Sequence, residues 1–456
     1  MAKYATINPA TGERLAEFDV ITDAEARHLT NRATAAYIPW KATEPANRTA
    51  VLRRMAELHR ERAEELAAIL TLEMGKTATQ ALAEVASAAN IYEYYADQAA
   101  DFMADQQLAI KGKGSAYVRT EAIGTLVGIM PWNYPYYQVA RFVAPNLALG
   151  NTIILKHARN CPQSALAIEK LFHEAGLPAD VYLNAFASAD QIAEMIADPR
   201  IQGVSLTGSE RAGSAVGEVA GRHMKKYVLE LGGSDPFLVL DDADLAAAAV
   251  EAAAGRFGNC GQACTASKRF IVVDAVYDAF VAKFVEAVKT FAIGDPTQKD
   301  TNLGPMSSSQ ALDDFAELVQ DAVAKGATVL AGGARIESPG SYYAATLLAD
   351  VDESMRAFRE ELFGPAGVIY RVMDEAAAIE LANNSPFGLS SSVFSADTSR
   401  AERVAAQLET GMVWINGISR SAPDLPFGGV KGSGVGRELA EFGFNEFANK
   451  KMVRIP

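Results

Sequence analysis

Residues 124–231 alternate short apolar strands with amphipathic helices, and this alternation narrows the fold more than any other feature of the chain. "GTLVGIM", "NTIILK", "IQGVSLTG" and "KYVLELGG" read as strands. "PQSALAIEKLFHEAG" (162–176) reads as a helix with Pro162 near its start and Gly176 near its end, and another helix begins near residue 210. "VYLNAFA" (181–187) reads as a short helix. Apolar strands separated by helices imply a parallel sheet, because each crossover lays a helix over one face and buries it. A second series runs from "PFLVL" (236–240) to "GMVWIN" (411–416). Its helices fall near 244–257, 275–291 and 309–326, and its strands are "RFIVV", "TVLAG", "GVIYRV" and "SSSVFS". A chain of 456 residues exceeds one ordinary core, so each series is expected to form its own α/β domain.

The flanks differ. The first hundred residues are expected to be mostly helical, with one amphipathic helix over 47–76 and another over roughly 78–104, to which no chemistry is assigned. "QLAIKGKGSAYVRTEA" (107–122) alternates polar and apolar residues and reads as a hairpin with Gly112 and Gly114 near its turn. It is polar for an internal strand, so it is expected to project and to seek a partner, with the C-terminal "KMVRI" as a candidate. Lys and Arg total 42 against 56 Asp and Glu, a net charge of −14, which disfavours nucleic acid and anionic membranes as partners. No uncharged apolar run reaches the roughly 18 residues of a membrane span. The N-terminus shows no signal-type apolar stretch, so a cytoplasmic enzyme is expected. Three cysteines do not make a disulfide framework. The five histidines are scattered, with no HxxxH or CxxC, and no metal site is expected.

Several stretches carry chemistry. "VSLTGSERAGSAVGEVAG" (204–221) runs from strand through a Gly-containing turn into a helix, as a phosphate-binding loop does. Gly208 would admit an anion to the backbone and Ser209 would add a hydroxyl, although a simple helix cap by Ser209 fits equally. "GGVKGSGVGRE" (428–438) contains Gly432, Gly434 and Gly436 at alternate positions. No strand immediately precedes it, so it reads as a tight loop. In "FGNCGQACTASKR" (257–269), Cys264 lies between a helix and a strand, where either a nucleophile or a buried structural thiol is at home. Glu230 ends an apolar strand and is either a general base with a raised pKa or half of an ion pair. In "MPWNYPYYQVAR" (130–141), Pro131 and Pro135 fix the backbone around Trp132, Asn133 and Tyr134. That makes Asn133 a rigid amide donor or simply part of a turn.

Together, "PWNYP", "LTGS" followed by Gly213, "ELGG", "GQAC", "EELFGP" (360–365), "PFGG" and "SGVGREL" resemble the aldehyde dehydrogenase superfamily over essentially the whole chain. "LKHARN", "LELGGSDPFLVL" and "ASKRFIV" look most like its shorter bacterial succinate-semialdehyde dehydrogenases. The resemblance implies an α/β fold with a Rossmann-like cofactor domain (1–105 and 123–232), an α/β catalytic domain (233–438) and a small β oligomerisation element (106–122 and 439–456). It also implies a homodimer or homotetramer.

The resemblance further implies that Cys264 attacks an aldehyde, that Asn133 and the Cys264 backbone N–H hold the oxyanion, and that Glu230 activates water to release the acid. Cys264 has no sequence-near His, so its surroundings in the fold must set its acidity. For an NAD or NADP cofactor the matching positions are Trp132, Lys156, Gly208, Ser209, Leu231, Glu361 and Phe363. Arg159 stands where NAD-preferring relatives often carry Glu. A guanidinium favours a 2′-phosphate, so NADP is expected to be preferred over NAD. For substrate the matching positions are Arg141, Tyr134, Tyr137, Ser421 and Phe427, with Arg141 as the anchor of a distal carboxylate. Some relatives carry a second Arg where this chain has Gly258, and Arg256 or Arg420 is the nearest substitute. The expected reaction is oxidation of succinate semialdehyde to succinate. The alternatives are a broad aromatic or aliphatic aldehyde dehydrogenase and a non-catalytic protein of the same fold. Cys260 is a second thiol near the nucleophile position, and its pairing with Cys264 is left open.

Overall fold

The structure, a computed structural model, describes residues 3–456. The first alternating series forms a six-stranded sheet in the order Gly434–Val435, Lys226–Glu230, Ile201–Thr207, Thr125–Met130, Thr152–His157 and Tyr182–Asn184. All of its pairings are parallel except the edge strand Gly434–Val435, which runs antiparallel to Lys226–Glu230. Thr125–Met130 pairs with Thr152–His157 on one side and Ile201–Thr207 on the other. Strand order therefore reverses at this point, and an open α/β sheet leaves a crevice beyond the carboxyl ends of such strands. The segments at those ends are Pro131–Asn133 and Gly208–Ser209.

The connecting helices begin and end as their residues dictate. Pro135 and Pro162 open Pro135–Leu149 and Pro162–Glu174, where a missing N–H costs nothing. Ser188 caps Ala189–Ala197 in a reciprocal box with Gln191. Gly150, at φ 109°, ends Pro135–Leu149 in a left-handed conformation. That helix is buried along nearly its whole length, between the sheet and Ala78–Phe102.

The second series forms a seven-stranded sheet in the order Thr328–Ala331, Thr346–Ala349, Ala366–Val372, Ser267–Val273, Asp235–Val239, Ser390–Phe394 and Met412–Ile415. Only Thr328–Ala331 is antiparallel to its neighbour. Phe237, Phe270, Phe280, Phe284 and Phe394 pack against one another in its core. The tail does pair with the polar hairpin. Ala448–Ile455 runs antiparallel to Ser115–Ala122, from Ala448 opposite Ala122 to Ile455 opposite Ser115, and Gln106–Leu108 adds a third strand.

Three expectations are corrected and one, the mostly helical N-terminus, holds with an addition. "VYLNAFA" contributes the strand Tyr182–Asn184, because its Tyr and Leu fill the sheet edge beside Ile153 and Ile154. The helix expected over 47–76 is two, Pro45–Glu61 and Ala63–Met74, broken at Arg62 where φ is −113° and ψ is 24°. The mostly helical N-terminus begins with an antiparallel pair, Tyr4–Ile7 with Arg14–Phe18. The loop 428–438 contains two short strands, Val430–Lys431 and Gly434–Val435, and the latter closes the edge of the first sheet.

Candidate active site

Helix Leu245–Phe257 ends at Gly258, and the chain then turns through Asn259, Cys260 and Gly261, all left-handed at φ 53°, 55° and 69°. Asn tolerates this conformation and Gly prefers it, whereas Cys rarely adopts it, so packing must hold the turn. The Asn259 amide donates to the Asn133 carbonyl (3.0 Å) and the Gln262 carbonyl (3.2 Å). Arg256, buried below the turn, donates to the carbonyls of Gly261 and Gly364. The turn delivers Cys264 to a wall shared by two cavities.

One cavity, of about 290 Å³, is lined by Tyr134, Tyr137, Arg141, Ser419, Ser421 and Phe427, with Lys76 and Glu84 at its side. The other, of about 280 Å³, is lined by Trp132, Asn133, Ser209, Leu231, Glu361 and Phe363, with Gly208 between them. Cys264 alone lines both. Trp132, Ser209, Glu361 and Phe363 also line a wider outer cleft, of about 1070 Å³, so the second cavity opens outward.

The expected oxyanion donor is firmly held. Asn133 Nδ2 donates to the Gln262 carbonyl at 3.1 Å, and its second hydrogen is uncommitted. The Asn133 carbonyl accepts from Asn259 and from Lys76 Nζ at 3.0 Å. Burial pushes the Cys264 thiol up to about 12, against the pull of Arg141 and Lys268. Glu230 is 2 % exposed, and neither carboxylate oxygen has a hydrogen-bond partner. Burial raises its pKa well above the usual range, which Arg141 opposes and Glu438 reinforces. It lines neither cavity and lies against Gly428, where a Cβ would come within 2.6 Å of its carboxylate.

On the first cavity's floor, Arg141 is fully buried and paired with Glu438, and its Nη2 donates to Thr207 Oγ1 at 3.2 Å. Its guanidinium carbon lies 4.3 Å from the centre of the Phe427 ring. Arg141 Nη1 has no partner. Ser421 is hydrogen-bonded to the Tyr137 hydroxyl, and Ser419 Oγ is buried and unpartnered. Of the two candidate substitutes for a second Arg, Arg256 bonds only backbone carbonyls and Arg420 is exposed and paired with Glu251. Neither lines the cavity.

The second cavity lies at a helix N-terminus and is walled by aromatic rings. Ser209 caps helix Glu210–Arg222 by accepting from Ala212 N, which leaves first-turn N–H groups at the cavity. Gly213 lets this helix pack on Leu231, whose Cδ2 would lie 2.6 Å from a Cβ. Gly232 makes room for Glu361, whose Oε2 would lie 2.5 Å from a Cβ there. Trp132 and Phe363 meet edge to face at 5.6 Å. Lys156 and Arg159 sit at the end of the adjacent strand and line neither cavity. Lys156 is pushed down to about 8 by burial and by Arg159, while the Arg159 side chain is exposed.

Sequence reasoning missed Lys76, Glu84, Ser419, Glu438 and Asn259. Lys76 forms a fully buried pair with Glu84 and lies 3.7 Å from the centre of the Tyr134 ring. Glu84 accepts from the backbone N–H groups of Tyr136 and Tyr137, at the start of Pro135–Leu149. One signal was available, because Glu84 falls on the buried stripe with Ala81, Val85 and Ala88, where a carboxylate needs a partner. Cys260 packs in the core of the second sheet and is pushed up to about 12 by burial, and all three cysteines are free thiols. Among the described residues no cluster of three or more His, Cys, Asp or Glu could hold a metal, and no helix is long and apolar enough to cross a membrane.

The chain matches the aldehyde dehydrogenase family over residues 2–453. It is 54 % identical to the succinate-semialdehyde dehydrogenase [NADP(+)] of Deinococcus radiodurans, over 99 % of this chain and 94 % of that protein. Among solved structures, Gox0499 superposes with a TM-score of 0.99 at 48 % identity, covering all of both chains. The succinic semialdehyde dehydrogenase of Streptococcus pyogenes in complex with NADP+ superposes with a TM-score of 0.97 at 43 % identity, over 99 % of this chain and 100 % of that one.

Proposed function

The chain belongs to the aldehyde dehydrogenase family, and we propose that it oxidises succinate semialdehyde to succinate with NADP in preference to NAD. The observation that carries this reading is that Cys264 alone lines both cavities, so one sulfur faces an aldehyde from one side and a cofactor from the other. The names of the Deinococcus radiodurans and Streptococcus pyogenes relatives support the substrate and the cofactor.

In the proposed mechanism the Cys264 thiol gives up its proton to water, the thiolate adds to the aldehyde carbon, and the resulting oxyanion accepts from the free Asn133 Nδ2 hydrogen and the Cys264 N–H. The second cavity would hold a nicotinamide, which would supply the acceptor for the hydride that leaves the Cys264 adduct. Trp132 and Phe363 would wall it, and Glu361 would hold its ribose. Gly208, Ser209 and Leu231 would take the pyrophosphate side, with Lys156 and Arg159 toward the adenosine. The thioester left on Cys264 is opened by water. Glu230 removes the proton after turning from Gly428 toward the sulfur, and its raised pKa suits a base. Arg141 Nη1 anchors the distal carboxylate beside Ser421, Tyr134, Tyr137 and Phe427.

A second reading rests on one observation: Glu438 already compensates the Arg141 charge. That weakens the pull on a carboxylate and favours a broader range of aromatic or aliphatic aldehydes.

We also propose the cofactor, catalytic and oligomerisation divisions given above, an assembled homodimer or homotetramer, and a cytoplasmic setting. The three free thiols support that setting. Native, Arg141→Ala and Arg159→Glu proteins assayed with succinate semialdehyde and benzaldehyde, each with NADP and NAD, test the reading. Arg141→Ala is expected to cut the succinate-semialdehyde-to-benzaldehyde ratio of kcat/KM at least tenfold, and Arg159→Glu to reverse the cofactor preference. An unchanged aldehyde ratio sinks the carboxylate anchor, and an unchanged preference sinks the role of Arg159.

A further inference from the structure

Lys268 stands four residues past Cys264 at the start of strand Ser267–Val273, with a side chain 1 % exposed. Its Nζ donates to the Cys264 carbonyl at 2.8 Å and to the Ala263 carbonyl at 3.1 Å, and it lies 3.0 Å from Glu361 Oε1. Three partners match the three N–H bonds of an ammonium. Glu361 is fixed in turn by the Gly233 N–H at 3.1 Å. A buried charge is expensive to desolvate, and two backbone carbonyls need only neutral donors. A cation held here therefore points to a use for its charge.

We propose that Lys268 is a positioning residue that ties down the Cys264 backbone and biases its sulfur toward the thiolate, while Glu361 sets how much of the Lys268 charge the sulfur feels. A cation beside a thiol favours its anion. The charged and titratable groups around Cys264 are Arg141, Lys268, Glu361, Asp235 and the Tyr134 hydroxyl. Arg141 and Lys268 pull the thiol down, and Glu361 and Asp235 push it up. Arg141 is committed to Glu438, which leaves the Lys268–Glu361 pair as the adjustable element. The inference rests on Cys264 being the nucleophile.

The test is the rate of Cys264 alkylation by iodoacetamide as a function of pH, followed by peptide mapping without cofactor or aldehyde. Native protein is compared with Lys268→Met, Lys268→Gln, Glu361→Gln and the Lys268→Met/Glu361→Gln double variant. Both Lys268 variants are expected to move the profile to higher pH, slowing alkylation about tenfold at neutral pH for a one-unit shift. Lys268→Gln retains a donor for the carbonyls, so a shift in both variants assigns the effect to charge. Glu361→Gln is expected to move the profile to lower pH, and to lose most of that effect without Lys268. Folded Lys268 variants with an unmoved profile overturn the proposal, as does a Glu361→Gln shift to higher pH. If the Lys268 variants fail to fold, Glu361→Gln still decides by its sign, and no shift counts against the proposal. Failure of the nucleophile reading is separate, because it would appear as full aldehyde-dependent turnover by protein alkylated at Cys264.

Discussion

His157 shows at the scale of one residue how this site is tied to its scaffold. Its Nδ1 accepts from the Ala158 N–H at 2.8 Å, which leaves Nε2–H to donate to the Pro135 carbonyl at 3.0 Å. Only the neutral ring satisfies both contacts, and burial, with Lys156 nearby, pushes His157 down to about 4. An unfolded His titrates near 6.5. Below that pH the unfolded chain binds a proton that the folded chain refuses, so this contribution to stability is present above about 6.5 and is lost as pH falls toward 4. His157→Gln, which cannot titrate, is expected to gain about 2 kcal/mol on the native protein between pH 7 and 4.5, read from urea midpoints. An equal loss in both proteins contradicts the assignment. The proposed catalytic residues Cys264, Asn133 and Glu230 could be singled out in sequence because each stands in a motif of distinctive composition. Lys76, Lys268 and Glu438 could not, because their partners Glu84, Glu361 and Arg141 are brought to them only by the fold.

Among the elements, the left-handed turn Asn259–Gly261 matters most. It joins the Asn133 segment, through Asn259, to the Glu361–Gly364 segment, through Arg256. A Cβ on Gly261 would strike the Gly364 carbonyl and the Arg256 guanidinium, at a φ of 69° that non-glycine residues adopt at a cost. Gly261→Ala is expected to lose about 2 kcal/mol of stability and most of its kcat, because the displaced turn carries Cys264 with it. Unchanged kcat would show that the turn does not place the sulfur. Periodicity revealed the long strands and helices but not this turn, whose conformation follows from packing. It also misread "VYLNAFA", because three residues on a sheet edge have too few side chains to distinguish strand from helix.

For the whole molecule, the three-stranded sheet leaves Ala448–Ile455 as an edge strand with exposed apolar side chains. Met452 and Ile455 are 60 % and 51 % exposed, and an uncovered edge strand invites pairing. In the proposed homo-oligomer, truncation after Phe447 removes the partner of Ser115–Ala122 and is expected to lower the sedimentation coefficient to that of a monomer. An unchanged coefficient would place the interface elsewhere. The two-series architecture was legible in the sequence, but the crossing of Gly434–Val435 onto the first sheet was not, since it links residues two hundred positions apart. That crossing brings Glu438 to Arg141, which lines the proposed substrate cavity. Mass spectrometry of native protein, acid-quenched during turnover of succinate semialdehyde with NADP, reads the proposed covalent intermediate itself. A succinyl thioester is expected on Cys264, with Cys161 and Cys260 unmodified. NADPH formation with Cys264 unmodified under the same quench would contradict the proposed mechanism.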